Sequence, residues 1–274
     1  MSSWMSQLPD DMSLASVYMP GTHVYHGIQN EYATADDVFD TVYAFLATNP
    51  QETLVVSIKQ ENSAPNFERI VWQLLDKRKE LWYKENRWPS LHEVRGKAVV
   101  FCRFGFETQQ GLHPVSWPNN SPVAFETDIG GEICIVQDWY SISSFLKIPE
   151  KAQLVLSLFK EENLTSQSSF SSLSSLATKT TSQLSLSSKY RVNFCSGATL
   201  LTAFPVVVAK GFGFSLLGFP GVNERVMDGL ARIMSQNENE NSEPSARGMA
   251  LLLDFWETPV GLVDLVIALN FADS

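Results

Sequence analysis

Positive charge is scarce in this chain. Against 30 Asp and Glu it carries 20 Lys and Arg, for a formal net charge of −10 and a pI near 4.9. No run of Lys and Arg stands out, so the electrostatic footprint of a nucleic-acid binder is missing. An anionic membrane would not be held by bulk charge either, and any membrane contact has to be apolar or headgroup-specific. Cysteine is scarce too. Cys102, Cys134 and Cys195 are odd in number, far apart and set in apolar runs, which points to buried thiols in a reducing compartment and not to a disulfide framework. No apolar run is long enough to span a bilayer. The N-terminus has neither the basic nor the apolar region of a signal peptide. The expected location is therefore cytoplasmic as the sequence is written, with secretion open if the N-terminus is incomplete. There is no internal repeat, and no Gly-rich phosphate loop follows the first predicted strand, as an open doubly wound sheet would want.

What is present describes a globular chain with a sizeable core: 274 residues, 44% hydrophobic and 18% charged. Histidines number four, and two stand three positions apart in Met19-Pro20-Gly21-Thr22-His23-Val24-Tyr25-His26-Gly27. A strand over 13–19 is expected upstream, ended by Pro20-Gly21. Two imidazoles near one reacting phosphorus or carbonyl could share general base and general acid duty. A structural histidine beside a turn, or a metal pair, are the alternatives. No third ligand follows at zinc-site spacing, and Gly27 argues against a helix. Neither a metal nor a cofactor is expected.

Downstream, strand and helix alternate. Thr34, Asp36 and Asp37 predict the start of a helix over 33–46, closed by Asn49-Pro50. Strands are predicted over 53–61, 97–104, 132–140, 191–196 and 247–256. Helices are predicted over 66–81, 149–161, 223–234 and 261–271. Residues 105–131 read as loop, with Trp117 the large side chain that needs a pocket. Residues 165–188 are a serine-dense, low-complexity surface excursion, and 237–243 a polar acidic loop. Apolar strands alternating with helices argue for a parallel sheet. Five predicted strands finish on or near a functional group: His23, Lys59, Arg103, Asp138 and Asp254. That layout fits a (β/α) barrel active site, with an open doubly wound sheet as runner-up.

Several stretches, in order, resemble one family. They are Trp4-Met5-Ser6, Leu8-Pro9-Asp10-Asp11, Met19 to His23, Tyr25-His26-Gly27, Pro50 with Glu52 to Glu61, Val94 to Val100, Val136-Gln137-Asp138 with Tyr140, and Leu253-Asp254-Phe255. Together they look like the bacterial-type phosphatidylinositol-specific phospholipases C. The resemblance implies a distorted (β/α) TIM-like barrel, a single domain over 1–274 with the serine-rich surface insertion at 165–188. It implies a calcium-independent phosphoric diester hydrolase that cleaves the glycerol–phosphate bond of an inositol phospholipid through a cyclic inositol phosphate. By resemblance His23 is the base, His26 the acid, and Asp254 orients His23. Lys59, Arg103 and Asp138 bind inositol hydroxyls, Tyr140 stacks on the ring, and Trp117 lines the pocket. The implied partner is an inositol phospholipid or glycosyl-inositol anchor, met in transient contact with a membrane surface by a monomer, with no nucleic acid. The glycine- and phenylalanine-rich stretch 211–222, expected to follow a strand, is the candidate membrane-facing rim; packing against its own barrel is the alternative.

The departures matter as much. Where the family has an aspartate after the first histidine, this chain has Val24. The family also carries several tens of residues between its two histidines, including a strand with an arginine that offsets phosphate charge, and these are absent. Losing such a donor costs about 2–4 kcal/mol of transition-state stabilisation. In a continuous strand, residues three apart face opposite ways, so His23 and His26 converge only if Val24-Tyr25 forms a tight turn. The barrel is expected to lack one strand and the chain to be catalytically impaired. A missed exon, a splice form or a real deletion would each account for it. A catalytically inactive inositol- or lipid-binding relative is the alternative function.

Overall fold

A computed structural model describes residues 23–26, 29–61, 65–159, 190–198, 204–213, 218–240 and 249–269, with backbone alone at 23–32 and 236–240. The expected strand at 13–19 and the serine-rich stretch at 165–188 lie outside the described residues. The chain divides into two compact units, one of residues 1–116 and 128–132, the other of 117–127 and 133–274.

In the first unit, strands β1 (His23–His26) and β2 (Gln29–Thr34) form an antiparallel pair whose register shifts between His23 and Tyr25. This corrects two expectations. Val24-Tyr25 is strand and not a tight turn, and His23 opens an antiparallel strand instead of closing a parallel one. Helix α1 (Ala35–Thr48) follows directly. The Thr34 hydroxyl accepts the Asp37 N–H, and the Asp37 carboxylate accepts the Thr34 N–H at 2.8 Å. This capping box satisfies two backbone donors and fixes the helix start. Strand β3 (Leu54–Lys59) precedes helix α2 (Phe67–Leu75), which passes into a 3-10 turn (Asp76–Leu81) and the short strand β4 (Trp82–Tyr83). The single helix expected over 66–81 is thus broken, because Arg78 leaves helical geometry at φ −138° and ψ 50°. A short helix α3 (Leu91–Val94) leads to β5 (Ala98–Arg103), which pairs in parallel with both β3 and β4. Phe39, Val42 and Phe45 of α1 pack with Ile58, Val71, Trp72, Leu75 and Val100 in one core. Truncating such a buried aliphatic to alanine costs about 2–5 kcal/mol.

The second unit is built on a four-stranded sheet, residues 128–132 of which group with the first unit. Strand β6 (Phe125–Ile129) lies within the expected loop 105–131. It joins β7 (Glu132–Gln137) through Gly130-Gly131, both at positive φ. A two-residue connection of this kind makes a hairpin, and glycine adopts its backbone without steric cost. Helix α4 (Ile148–Ser157), strand β8 (Tyr190–Phe194) and helix α5 (Pro205–Lys210) follow. Strands β9 (Gly211–Phe212) and β10 (Phe219–Pro220) pair antiparallel. The glycine- and phenylalanine-rich stretch therefore follows a helix, not a strand, and its two ends are tied together. Helix α6 (Val222–Glu240) runs into the expected acidic loop. Strand β11 (Met249–Leu252) and helix α7 (Leu262–Ala268) complete the unit. Strands β7, β8 and β11 are mutually parallel, and Ile148, Val155, Val208, Val226, Leu230 and Leu262 form the core.

Parallel pairing among β/α elements is as expected, while no sheet of the described residues closes on itself. All three cysteines are free and buried, and burial pushes the Cys134 thiol up to about 12. Among the described residues no helix is long and apolar enough to cross a membrane.

Candidate functional site

The candidate residues divide between the units. His23, His26, Lys59 and Arg103 belong to the first, and Trp117, Asp138, Tyr140 and Asp254 to the second. The two histidines sit on β1, where the backbone alone is described.

In the first unit Lys59 and Arg103 end the parallel strands β3 and β5 and are register partners, so two cations stand side by side. The Lys59 ammonium pairs with Glu61 at 2.7 Å, and the Gln60 N–H donates to the Arg103 carbonyl at 3.1 Å. The loop that leaves Arg103 is anchored by a residue the sequence reading passed over. Glu68 of α2 is 7% exposed. It accepts the backbone N–H groups of Glu107 and Thr108 at 2.8 Å each, the Thr108 hydroxyl at 2.6 Å and the Trp72 indole at 3.3 Å. Burial alone would raise the Glu68 pKa, but these hydrogen bonds together hold it below the ordinary carboxylate value. His113 steadies the same loop through a 2.7 Å bond between its Nε2 and the Gly105 carbonyl.

In the second unit Asp138 follows β7 directly and is 4% exposed. The Trp117 indole donates to Asp138 Oδ2 at 2.7 Å, and the Trp117 ring meets Phe125 and Phe194 edge-on. Tyr140 is 39% exposed, and its hydroxyl donates to Asn119 at 2.7 Å, leaving a tethered ring at the surface. Beyond the sheet, this segment continues beside the one that leaves β8. The Ala198 N–H donates to the Tyr140 carbonyl at 2.7 Å, and the Ile142 N–H to the Ala198 carbonyl at 3.3 Å. Asp254 lies two residues past β11. The buried Asn223 donates to the carbonyls of Asp254 and Thr258 at 2.9 Å each and fixes this turn.

Lys151 of α4 was also passed over. It has no exposed surface. Its Nζ donates to the carbonyls of Trp139 at 2.6 Å and Phe194 at 3.0 Å. Burial pulls its pKa down to about 8, opposed by Cys195, Asp138 and Asp254. Both missed residues left one signal. Glu68 stands in the stripe 68, 71, 72, 75, and Lys151 in the stripe 148, 151, 152, 155, each a lone charge at an otherwise apolar helical spacing.

The first unit offers cations for anionic or hydroxyl oxygens; the second offers a carboxylate oriented by an indole and an aromatic face. No group of three His, Cys, Asp or Glu that could hold a metal ion gathers among the described residues.

With this geometry in place, comparison with known proteins gives the following. No family model matches the chain. The fold is that of the phosphatidylinositol-specific phospholipases C. A Staphylococcus aureus structure, solved in connection with modulation of that enzyme's membrane binding, superposes with a TM-score of 0.59 at 20% identity, covering 93% of this chain and 77% of its own. The Listeria monocytogenes phosphatidylinositol-specific phospholipase C gives 0.57 at 21% identity, covering 98% and 82%. In sequence, a Listeria monocytogenes 1-phosphatidylinositol phosphodiesterase is 26% identical over 149 residues, 35% of this chain and 47% of the relative. The chain thus spans about half the length of the curated relative it matches. The resemblance read from the sequence is borne out.

Proposed function

We propose that this chain is a phosphoric diester hydrolase of the phosphatidylinositol phospholipase C type. It cleaves the glycerol–phosphate bond of an inositol phospholipid or glycosyl-inositol anchor through a cyclic inositol phosphate. The observation that carries the reading recurs in each unit: charges stand at the ends of parallel strands or just past them. Lys59 and Arg103 end β3 and β5, and Asp138 and Asp254 lie just past β7 and β11, where barrel enzymes keep their reactive groups. In this reading His23 takes the proton of an inositol hydroxyl, which attacks phosphorus intramolecularly with the advantage of a tethered nucleophile. His26 protonates the leaving glycerol oxygen, and Asp254 orients His23. Lys59, Arg103 and Asp138 hold inositol hydroxyls, Tyr140 stacks on the ring, and Trp117 orients Asp138 at the pocket wall.

The proposal includes a single domain over 1–274, a serine-rich surface insertion at 165–188, and a distorted barrel that lacks one strand. Turnover is slow in this form, because the arginine-bearing segment between the histidines is absent. The protein acts as a monomer, without metal, cofactor or nucleic acid. It meets the bilayer through 211–222, where the Phe212 and Phe219 rings stack and Phe212 is exposed.

The alternative, an inactive inositol-binding relative, is favoured by the four-residue strand that carries both histidines. The test is release of cyclic inositol phosphate from phosphatidylinositol micelles by the chain, by His23→Ala and by a version with the absent segment restored. Turnover lost in His23→Ala supports the enzyme reading. Inositol binding without turnover assigns the alternative.

A further inference from the structure

Lys151 is completely buried, and nothing in the proposed reaction uses it. We propose that Lys151 is a positioning residue whose ammonium ties together the backbones carrying Asp138, Tyr140 and Phe194, and so holds the Trp117–Asp138 pair in the pose that receives an inositol hydroxyl. The ligand named here rests on the phosphodiesterase reading; the tie does not.

The geometry is specific. One of the two carbonyls that Lys151 binds is Trp139, the residue between Asp138 and Tyr140, and the other is Phe194, the last residue of β8. The Phe194 ring meets the Trp117 ring, and Trp117 donates to Asp138. Movement at either carbonyl is therefore passed to the same indole–carboxylate pair. Trp139 lies past the end of β7, where the ladder no longer supplies donors, so its carbonyl needs a partner from elsewhere. Gly197 leaves the room: a Cβ there would stand 3.2 Å from the Tyr140 carbonyl and 3.4 Å from Lys151 Cε. Packing alone would be served as well by an apolar side chain of the same length, at lower desolvation cost. The charge has work that a methionine cannot do. The charged or titratable groups acting on it are Asp138 past β7, Asp254 past β11 and Cys195 past β8.

The experiment compares Lys151→Met and Lys151→Arg with the native chain. The readouts are the Trp117 indole N–H proton resonance, assigned with Trp117→Phe, and kcat and KM on phosphatidylinositol micelles. The expected result is that Lys151→Met melts no lower than the native chain while its Trp117 resonance moves toward that of a water-exposed indole. KM rises about tenfold, the factor set by one lost positioning bond, and Lys151→Arg recovers part of both. An unmoved indole resonance and an unchanged KM in Lys151→Met overturn the proposal. If the native chain does not turn over phosphatidylinositol, the phosphodiesterase reading fails, and the indole resonance alone decides the tie. If Lys151→Met does not fold, Gly197→Ala loads the same tie, since its Cβ would stand 3.2 Å from the Tyr140 carbonyl and 3.4 Å from Lys151 Cε. An indole resonance that does not move in that variant counts against the tie.

Discussion

The two units solve the same construction problem with opposite charges. In the first, the strand ends carry cations, Lys59 and Arg103, and a buried anion, Glu68, gathers backbone N–H groups of the loop beyond. In the second, the groups past the strand ends are anions, Asp138 and Asp254, and a buried cation, Lys151, gathers backbone carbonyls. Each buried charge sits in the first turns of the helix that follows its strand. The energetics differ. The donors to Glu68 more than offset its burial, and its pKa falls. The partners of Lys151 do not offset burial, and its pKa falls as well, which for a base means that the charged form is disfavoured. Glu68 therefore stabilises the fold at neutral pH, whereas Lys151 costs stability there. A cost retained at a strand end is expected where a site is held in place, and not where a core is merely filled.

The sharpest way to break this comparison is Glu68→Ala, which leaves the Glu107 and Thr108 N–H groups without their acceptor. A loss of about 3 kcal/mol is expected from a severed buried network, read as a lower urea midpoint with unchanged slope. A loss below about 0.5 kcal/mol would reduce Glu68 to an ordinary surface acid.

The pH dependence distinguishes the two charges next. Because the folded Glu68 pKa is depressed, its contribution is present above the ordinary carboxylate value and is lost as pH falls through the folded one. Glu68→Gln should flatten that acid limb. For Lys151 the unfolded chain holds its proton up to about 10.5 and the folded chain only to about 8. Native stability should therefore rise between those values and be flat below them, by a few kcal/mol at most. Lys151→Met should abolish the rise. Equal alkaline limbs in the two proteins would refute the assignment.

Trp117→Phe keeps the ring contacts and deletes the bond to Asp138, which should cost about 1–2 kcal/mol and weaken inositol binding in titration calorimetry. The smallest expected effect is Thr34→Ala, about 1 kcal/mol from the capping box of α1, measured by thermal melting. It should leave inositol binding alone, since it touches neither buried charge.

Much of this was legible in the sequence where a local rule and the tertiary context agree. Thr34 and Asp37 announced the start of α1, and the β-branched runs through Val55 and Val99 announced β3 and β5. What was missed follows from context. Strand β6 was hidden because Glu126 and Asp128 break its apolar pattern, and a hairpin glycine pair rather than hydrophobicity specifies it. Helix α2 was drawn too long because the Arg78 kink has no proline or glycine to mark it. Glu68 and Lys151 were passed over, since a sequence does not say which charged residue of a stripe is buried. The strand-end positions of Lys59, Arg103 and Asp138 were read correctly from apolar runs that turn polar.

Turnover of the headgroup bond decides most directly whether this chain is a phosphodiesterase. Phosphorus NMR of phosphatidylinositol micelles incubated with the chain should show the phosphodiester resonance giving way to that of a cyclic inositol phosphate. The change should be slow and reduced about tenfold further by Lys59→Ala, the factor one charge-assisted hydrogen bond supplies. A spectrum unchanged after prolonged incubation with the folded native chain would contradict that reading.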